Sequence, residues 1–219
     1  MFSSTSIAVL TSGGLDSSIL ICDLLGRYSS VYPIYIRSGH LWEETELFWL
    51  RRYLSKIRNK KLKKLVALSL ETRDLYRHHW SVTGQKVPGA KSNDRNVYLP
   101  GKNLLLIAKG AVYCSLRKIP NLALGPLKTN PFPDANASFF KMLEKACAQG
   151  LDFPIRIQTP FLRMTKNQVM KLGKKLPLDQ TFSCISPVGK NHCGKCNKCA
   201  ERKRAFRNAG IPDKTRYEH

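Results

Sequence analysis

The sequence predicts an α/β fold, in which a parallel sheet carries helices on both faces and is followed by a C-terminal four-cysteine element. Three observations support this prediction. Short apolar runs alternate with segments of helical spacing, a glycine-rich turn follows the first apolar run, and four of the seven cysteines crowd the C-terminal region. Such alternation is typical of parallel sheets, whose ligands bind beyond the carboxyl ends of the strands.

The individual elements follow from apolar runs and from helical periodicity. The predicted strands span residues 7–10, 31–36, 65–70, 123–125 and 155–159. The predicted helices span residues 17–25, 43–56, 103–116 and 138–149. Residues 80–99 are rich in Gly, Pro, Ser and Asn, which predicts a long loop at the active site.

The turn that joins the first strand to the first helix has the sequence Ser12-Gly13-Gly14-Leu15-Asp16-Ser17. Adjacent glycines let the backbone approach an anion closely, and the following helix directs its free N–H groups and positive dipole end to the same place. The serines add hydroxyl donors, and Asp16 is placed either to hold Mg²⁺ or to cap the helix. The alternative is an ordinary strand–turn–helix joint whose Ser and Asp side chains are only caps.

This string is similar to the PP-loop of the ATP pyrophosphatases. The resemblance implies that residues 12–17 bind ATP and its pyrophosphate. It also implies that ATP is cleaved between the α and β phosphates, with transfer of AMP to a substrate oxygen and release of pyrophosphate. The string lacks the Gly-Lys-Ser/Thr ending of a Walker A loop, so transfer of the γ phosphate is not expected.

The composition is that of a globular protein, since 42% of the residues are hydrophobic and 24% are charged. No apolar stretch approaches the ~18 residues of a membrane span. The N-terminal residues lack the basic segment and apolar core of a secretory signal. We therefore expect a cytoplasmic protein without membrane association and without a disulfide framework. The scattered Cys22, Cys114 and Cys147 are expected to be small buried hydrophobes.

The formal net charge is +22 at pH 7, and basic residues are concentrated in residues 51–64 and in the last third of the chain. A field of that size attracts polyanions, which favours an acidic protein, a nucleic acid or nucleotides as partners. A solvated basic surface without a partner is the open alternative. Few aromatic residues interleave with the basic clusters, which disfavours stacking of single-stranded nucleic acid.

Four cysteines near the C-terminus have the spacing of a metal site: Cys184, Cys193, Cys196 and Cys199. Four thiolates suit a tetrahedral structural Zn²⁺ and leave no open position for a catalytic water. An Fe–S cluster is the competing metal group. We expect residues 181–219 to form a zinc-binding segment that is packed on a domain of residues 1–180.

With the PP-loop and the cysteine cluster in one chain, the sequence resembles the 7-cyano-7-deazaguanine synthase family, also called QueC or ExsB. The resemblance covers nearly the whole chain in the family's order. Beyond the two motifs it rests on residues 99–103 (Leu-Pro-Gly-Lys-Asn), Pro133-Asp134, Pro160 with Thr165-Lys166, residues 181–184, and a tail with Arg202, Phe206, Gly210, Asp213 and Tyr217.

The resemblance implies an ATP-dependent C–N ligase that uses Mg²⁺ and acts on 7-carboxy-7-deazaguanine. AMP activates the carboxylate, ammonia attacks, and a second ATP drives dehydration of the amide to the nitrile preQ0, on the route to queuosine. The implied catalytic residues are Asp16, through Mg²⁺, and Lys102, as a cationic clamp on the phosphates. Asn103, Asp134 and His40 are candidates for contacting the substrate, and the family's habit suggests a homodimer. A solvent-facing Lys102 and a turn-forming Asp134 are the alternatives.

Two segments depart from the pattern of the nitrile-forming enzymes. Residues 37–43 stand where a Gln-Arg-His segment is usual, and Ala135-Asn136 stand where Cys-Arg is usual. Both lie where substrate recognition is expected, so adenylation is better supported than the identity of the product. The alternatives are a QueC-like ligase of the antiviral-defence type that joins the activated deazaguanine to a protein amine, a tRNA-modifying PP-loop enzyme, and a noncatalytic nucleotide- or nucleic-acid-binding module.

Overall fold

A five-stranded sheet forms the centre of the computed structural model, which describes residues 6–219. The first five residues of the predicted unit 1–180 lie outside that range. The strands are β1 (Ser6–Leu10), β2 (Ser30–Arg37), β3 (Val66–Ser69), β4 (Asn121–Ala123) and β5 (Arg156–Gln158). Their order across the sheet is β3-β2-β1-β4-β5, and every pairing is parallel. The prediction of a parallel α/β sheet is confirmed.

Helices cover both faces of this sheet. They are α1 (Leu15–Leu25), α2 (Glu43–Lys56), α3 (Arg73–Tyr76), α4 (Trp80–Thr83), α5 (Lys102–Leu116), α6 (Ala137–Gly150), α7 (Lys166–Leu172) and α8 (Asn197–Ala209). α1, α7 and α8 share one core with the sheet, and α2 packs beside them. α5 and α6 share the core on the opposite face. Within residues 6–219, none of these helices is both long and apolar enough to cross a membrane.

The central strand β1 explains why both faces are covered. Ile7 and Val9 contact the core that contains α1, whereas Ala8 and Leu10 contact the core that contains α5. Successive side chains in a strand point to opposite faces, so a strand buried on both sides is apolar throughout. Because β1 pairs with both β2 and β4, the turn that follows it emerges at the middle of the carboxyl edge of the sheet.

The two helices of the C-terminal third are not among the helices predicted from the sequence. α7 begins with a capping box formed by Thr165. α8 is capped at its start by the sulfur of Cys196, and it ends at Gly210 in the left-handed conformation. The predicted loop of residues 80–99 contains α4 and a 3₁₀ turn at Asp94–Val97.

The three scattered cysteines differ in burial. Cys114 is fully buried, as expected, whereas Cys22 and Cys147 are only half-buried, so the prediction of full burial is wrong for these two. Cys22 lies on the side of α1 that meets α2, where its sulfur is 3.3 Å from the hydroxyl of Tyr53. Burial raises the pKa of all three thiols, which keeps them protonated.

Candidate active site

A cavity of about 360 Å³ opens at the carboxyl ends of β1, β2 and β4. Its wall contains nearly all the residues that the sequence predicts for nucleotide and substrate: Ser12, Gly14, Leu15, Asp16, Ser17, His40, Lys102, Asn103 and Asp134. Gly13 is the exception, since it is buried behind the loop. The wall also contains residues that the sequence analysis did not assign to the site, among them Trp42, Glu46, Trp80, Lys166, Lys198 and Glu201. Convergence of polar groups from distant parts of a chain into one cavity is typical of a ligand site.

The turn after β1 keeps its shape through Gly13, whose φ of +75° lies in the left-handed region that favours glycine. A Cβ on Gly13 would lie 3.1 Å from the Cβ of Leu50 on α2. The Gly13 carbonyl accepts a 2.8 Å hydrogen bond from the backbone N–H of Phe182. Gly14 is the N-cap of α1 and has no side chain to occupy the first-turn N–H groups. The loop thus presents the N-terminus of α1 to the cavity, as an anion site requires.

The hydroxyl groups of the loop form one cluster around Ser17. Its Oγ accepts a 3.3 Å hydrogen bond from the backbone N–H of Ser12, lies 3.3 Å from Ser12 Oγ, and donates to the Gly14 carbonyl at 3.3 Å. Thr11 Oγ1 donates to Ser17 Oγ at 3.4 Å. These side chains therefore hold the shape of the loop as well as lining the cavity.

Asp16 is paired with a lysine from the far end of the chain. Lys166 Nζ, at the start of α7, lies 2.6 Å from Asp16 Oδ2 and 3.0 Å from a carboxylate oxygen of Glu201 on α8. Lys198 contacts the same Glu201 at 2.7 Å. Against the effect of burial, the carboxylates raise the pKa of Lys166 and the lysines hold the pKa of Glu201 well below its usual range. Asp16 Oδ1 is buried and has no partner among residues 6–219, which leaves one carboxylate oxygen for a ligand.

Lys102 and Glu46 bring one further charge of each sign to the wall. Lys102 is the first residue of α5, and its Nζ lies 5.7 Å from the centre of the Trp42 indole. Burial lowers the pKa of Lys102, an effect that Glu46 opposes. Glu46, in the first turn of α2, accepts a 2.7 Å hydrogen bond from the Tyr35 hydroxyl, and burial raises its pKa to about 7. Lys102 lies at the cavity and not at the outer surface.

Asn103 and Asp134, both predicted to contact substrate, are bonded to each other. The Asn103 backbone N–H donates to Asp134 Oδ2 at 2.9 Å, and its side-chain amide donates to the Asp134 carbonyl at 3.0 Å and to Oδ1 at 3.3 Å. Asp134 therefore accepts a hydrogen bond from a free N–H group at the start of α5. This structural role is in line with the alternative prediction for Asp134, that of a turn residue. Contact of either side chain with substrate stays a prediction.

Aromatic rings form a flat part of the wall around His40. The His40 ring stacks on Trp42 with ring centres 4.8 Å apart, and Trp42 stacks on Trp80 at 5.7 Å. Both ring nitrogens of His40 and the indole nitrogen of Trp80 are buried without a hydrogen-bond partner in the described part of the chain. Burial, helped by nearby Lys102, lowers the pKa of His40 to about 3, so the ring is neutral at pH 7. A neutral imidazole offers one donor and one acceptor to a planar ligand.

The four C-terminal cysteines form a compact cluster, as predicted. All four are buried, and their Sγ atoms lie within 4.8 Å of one another. The Cys184–Cys196 and Cys193–Cys199 sulfur pairs are 3.8 and 4.0 Å apart. A tetrahedron with Zn–S bonds of about 2.3 Å has an edge of about 3.8 Å. Backbone N–H groups, including that of Ser186, donate to the sulfurs of Cys184, Cys193 and Cys196 at 3.3 to 3.4 Å. The donor set and spacing fit zinc.

The cysteine cluster is joined to the cavity through α8 and the segment before it. Arg202 on α8 is 1% exposed and donates 2.7 and 2.8 Å hydrogen bonds to the Leu178 carbonyl and the Thr181 hydroxyl. Phe182, next to Thr181, donates its backbone N–H to Gly13 of the glycine-rich turn. The segment that carries the cysteines therefore supports the loop at the cavity.

Comparison with known proteins gives matches over nearly the whole chain. A sequence model of the family described as "Queuosine biosynthesis protein QueC" matches residues 6–210. The 7-cyano-7-deazaguanine synthase of Leptospira interrogans is 26% identical over 97% of this chain and 90% of its own length. That of Methanothrix thermoacetophila is 28% identical over 96% of this chain and 97% of its own length. That of Porphyromonas gingivalis is 26% identical, with 96% of each chain covered.

A solved structure supports the fold independently. The crystal structure of a protein described as a predicted subunit of tRNA methyltransferase, from Methanocaldococcus jannaschii, has a TM-score of 0.50 and 18% identity, covering 77% of this chain and 73% of that one. At this identity the likeness concerns the fold alone. The family match extends further, since residues 6–210 include the glycine-rich turn, the cavity residues and all four clustered cysteines. This chain belongs to the QueC family of queuosine biosynthesis proteins.

Proposed function

We propose that this protein adenylates the carboxylate of 7-carboxy-7-deazaguanine with ATP and transfers the activated acyl group to ammonia. The product is an amide, which a second ATP converts to the nitrile preQ0, with AMP and pyrophosphate as by-products. The observation that carries the proposal is the presence of the predicted nucleotide loop and the predicted substrate residues in one cavity. The name of the similar proteins, 7-cyano-7-deazaguanine synthase, supports the choice of substrate and product.

Adenylation suits the charges around the loop. A carboxylate is a poor electrophile, and transfer of AMP to it creates an acyl adenylate with a good leaving group. The N-terminus of α1 and the cationic Lys102 are placed to stabilise the negative charge that develops on the departing pyrophosphate. Because these groups are fixed by the fold, they need no reorganisation during the reaction.

Two metal ions fit residues of this chain. Mg²⁺ would be held by Asp16, whose Oδ1 is buried and unpartnered within residues 6–219, and when bound it would neutralise charge on the phosphates. Zn²⁺ would be held by the four clustered cysteines in a structural role, because four thiolates leave no position for substrate.

The aromatic part of the wall suits the planar deazaguanine ring. Trp80, which continues the stack of His40 and Trp42, offers an aromatic surface, and the neutral ring of His40 can donate to and accept from the polar edge of the heterocycle. Asn103 and Asp134 lie at the same wall, where their mutual hydrogen bonds fix their positions. We assign these residues to substrate binding.

Transfer to a protein amine is a second candidate function. The net charge of +22 favours it, because a basic surface attracts an acidic protein acceptor. The departure in residues 37–43 also favours it, because Ser38, His40 and Glu43 of this segment line the cavity, where a change of residues can change the product. We place either reaction in the cytoplasm, whose reducing conditions suit a four-cysteine zinc site and three cysteines without disulfide bonds.

Product analysis tests the proposal and separates the two candidates. The purified protein is incubated with Mg-ATP, 7-carboxy-7-deazaguanine and ammonium, and the mixture is analysed by mass spectrometry. Free preQ0 with AMP and pyrophosphate is the expected result. A deazaguanine mass added to a protein, without free nitrile, would instead support the ligase. Absence of AMP with every acceptor would contradict both.

A further inference from the structure

We propose that Glu46 accepts the proton that the attacking amine loses when it displaces AMP from the acyl adenylate. This assignment rests on the proposed function and adds a catalytic residue to it. Glu46 belongs to none of the motifs that the sequence analysis singled out. The inference comes from the structure, which places Glu46 in the cavity wall beside the glycine-rich turn.

The position of Glu46 is fixed from two sides. Its backbone carbonyl packs against Gly13, where it would lie 3.4 Å from a Cβ added to that glycine. Its Oε2 accepts a 2.7 Å hydrogen bond from the hydroxyl of Tyr35, which is only 3% exposed on β2. Oε1 forms no hydrogen bond with any residue of the described range. One carboxylate oxygen is thus anchored and the other is free to take a proton.

The other carboxylates of the cavity wall are already engaged. Glu43 accepts hydrogen bonds from two backbone N–H groups and from Arg37. Asp134 accepts from Asn103 through both oxygens, while Asp16 and Glu201 are ion-paired with Lys166. Within residues 6–219, Glu46 is the cavity carboxylate that has neither a cation nor a backbone N–H group within bonding distance. It is therefore the carboxylate best able to bind a proton.

Burial and the neighbouring charges place the pKa of Glu46 near neutral pH. Burial raises the pKa of Glu46 to about 7, against the opposing effects of Lys102 on α5 and of the Tyr35 hydrogen bond, and Glu43 of the same helix raises it further. Asp16 of α1 and Lys198 of α8 line the same cavity. A general base works best when its pKa lies near the working pH, because it is then both ionised and basic.

The proposed step conserves atoms and charge. The lone pair of the amine nitrogen attacks the carbonyl carbon of the acyl adenylate and a C–N bond forms. The bond from that carbon to the phosphate oxygen of AMP breaks, and AMP leaves with its electron pair. One proton passes from the nitrogen to Glu46 Oε1, so the product is a neutral amide. No group is oxidised or reduced.

Partial reactions of the zinc-loaded Glu46→Gln variant test this assignment. Gln is isosteric and keeps an oxygen for the Tyr35 hydroxyl, so the fold is retained. We expect substrate-dependent exchange of pyrophosphate into ATP, which reports adenylation alone, to stay within about threefold of the wild type. Amide formation should fall by about 10²-fold or more, the usual contribution of a general base. At a constant concentration of free NH₃, the increase of wild-type amide formation through about pH 7 should be lost in this variant and retained in Glu46→Asp.

Two results would overturn the assignment. One is amide formation by Glu46→Gln at the wild-type rate, and the other is an equal loss of exchange and amide formation, which would place Glu46 in adenylation or in the fold. Absence of exchange in the wild type itself would refute the proposed function, and the role of Glu46 with it. The two failures are thus told apart by the wild-type exchange reaction.

Discussion

Glu46 ionises inside the protein, where water cannot fully solvate its charge. Its pKa is close to the ordinary value in the unfolded chain and about 7 in the folded protein. The folded wild type therefore retains a proton that the unfolded chain has lost, and its stability falls as the pH rises between these two values. A glutamine at this position carries no such penalty.

We therefore expect Glu46→Gln to stabilise the protein by about 1 to 3 kcal/mol at about pH 8, and by much less at about pH 5. Urea unfolding at both pH values measures the difference. Glu44→Gln is the matched control, because Glu44 lies on the same helix and its side chain is 76% exposed. A stabilisation that is the same at both pH values would show that ionisation of Glu46 is not its cause.

Most of the predicted cavity residues belong to a recognisable string, and His40, which lies in a segment that departs from the family's pattern, is the exception. Asp16 and Lys102 follow from the two glycine-containing segments, and both line the cavity. Lys166 and Glu201 could not be assigned to it, because the ion pairs that hold them exist only after α7 and α8 have packed. Glu46 belongs to an acidic run at the start of the predicted helix 43–56. Such a run is a signal in this chain, because acidic residues are scarce, with 15 against 37 basic residues.

At position 13, the backbone of the glycine-rich turn accommodates glycine but no larger residue without strain. We expect Gly13→Ala to cost about 2 kcal/mol or more of unfolding free energy and to reduce pyrophosphate exchange. The reasons are the left-handed φ and the 3.1 Å approach of a new Cβ to Leu50. Gly101→Ala is the control, since Gly101 has a φ of +73° with open space around it and should cost only about 1 kcal/mol. Equal losses in the two variants would contradict the role of close packing at Gly13.

The zinc element should support the adenylation site as well as the fold. We expect Cys199→Ser to lose bound zinc, to unfold at a lower temperature and to lose pyrophosphate exchange, because α8 carries both this cysteine and Glu201. Metal analysis, thermal unfolding and exchange measure the three effects. Cys147→Ser is the control, since Cys147 lies on α6, outside the cluster. A zinc-free variant with wild-type stability and exchange would contradict this account.

Among the elements, the strands were predictable from their short apolar runs, and the first helices from the clear period of their apolar residues. α8 was not, since its buried face includes Arg202 and Asn197 beside few apolar residues. The boundaries of α7 and α8 nevertheless left signals: Thr165 stands directly before α7, and Gly210 directly after the last residue of α8. Capping residues thus marked helices that hydrophobic periodicity did not.

At the scale of the whole molecule, the charge of +22 is separable from the chemistry of the cavity. Arg58, Lys60 and Lys64 are exposed in a basic segment between α2 and β3. We expect replacement of all three by Glu to leave ammonia-dependent turnover within about twofold, because they precede β3, whereas the cavity opens at the carboxyl ends of the strands, and salt screens exposed charges. Steady-state assays at moderate salt measure this. A tenfold loss of turnover would show that the basic surface takes part in the small-molecule reaction.

The same substitutions should suppress transfer to an acidic protein acceptor, if that is the reaction that the molecule performs. Long-range attraction between opposite charges raises the rate of encounter, and reversal of the charge removes it. Comparison of the wild type and the triple variant with one acceptor measures this effect. Unchanged conjugation would assign the basic surface no role in recruiting the acceptor.

The most direct test of adenylation follows an oxygen atom. 7-Carboxy-7-deazaguanine with heavy oxygen in its carboxylate is incubated with the protein, Mg-ATP and ammonium, and the nucleotide products are weighed by mass spectrometry. If the carboxylate attacks the α phosphate beside the loop of residues 12–17, the released AMP carries one heavy oxygen and the pyrophosphate carries none. Formation of ADP, or of AMP without the label, would contradict acyl adenylate formation and the function proposed for this cavity.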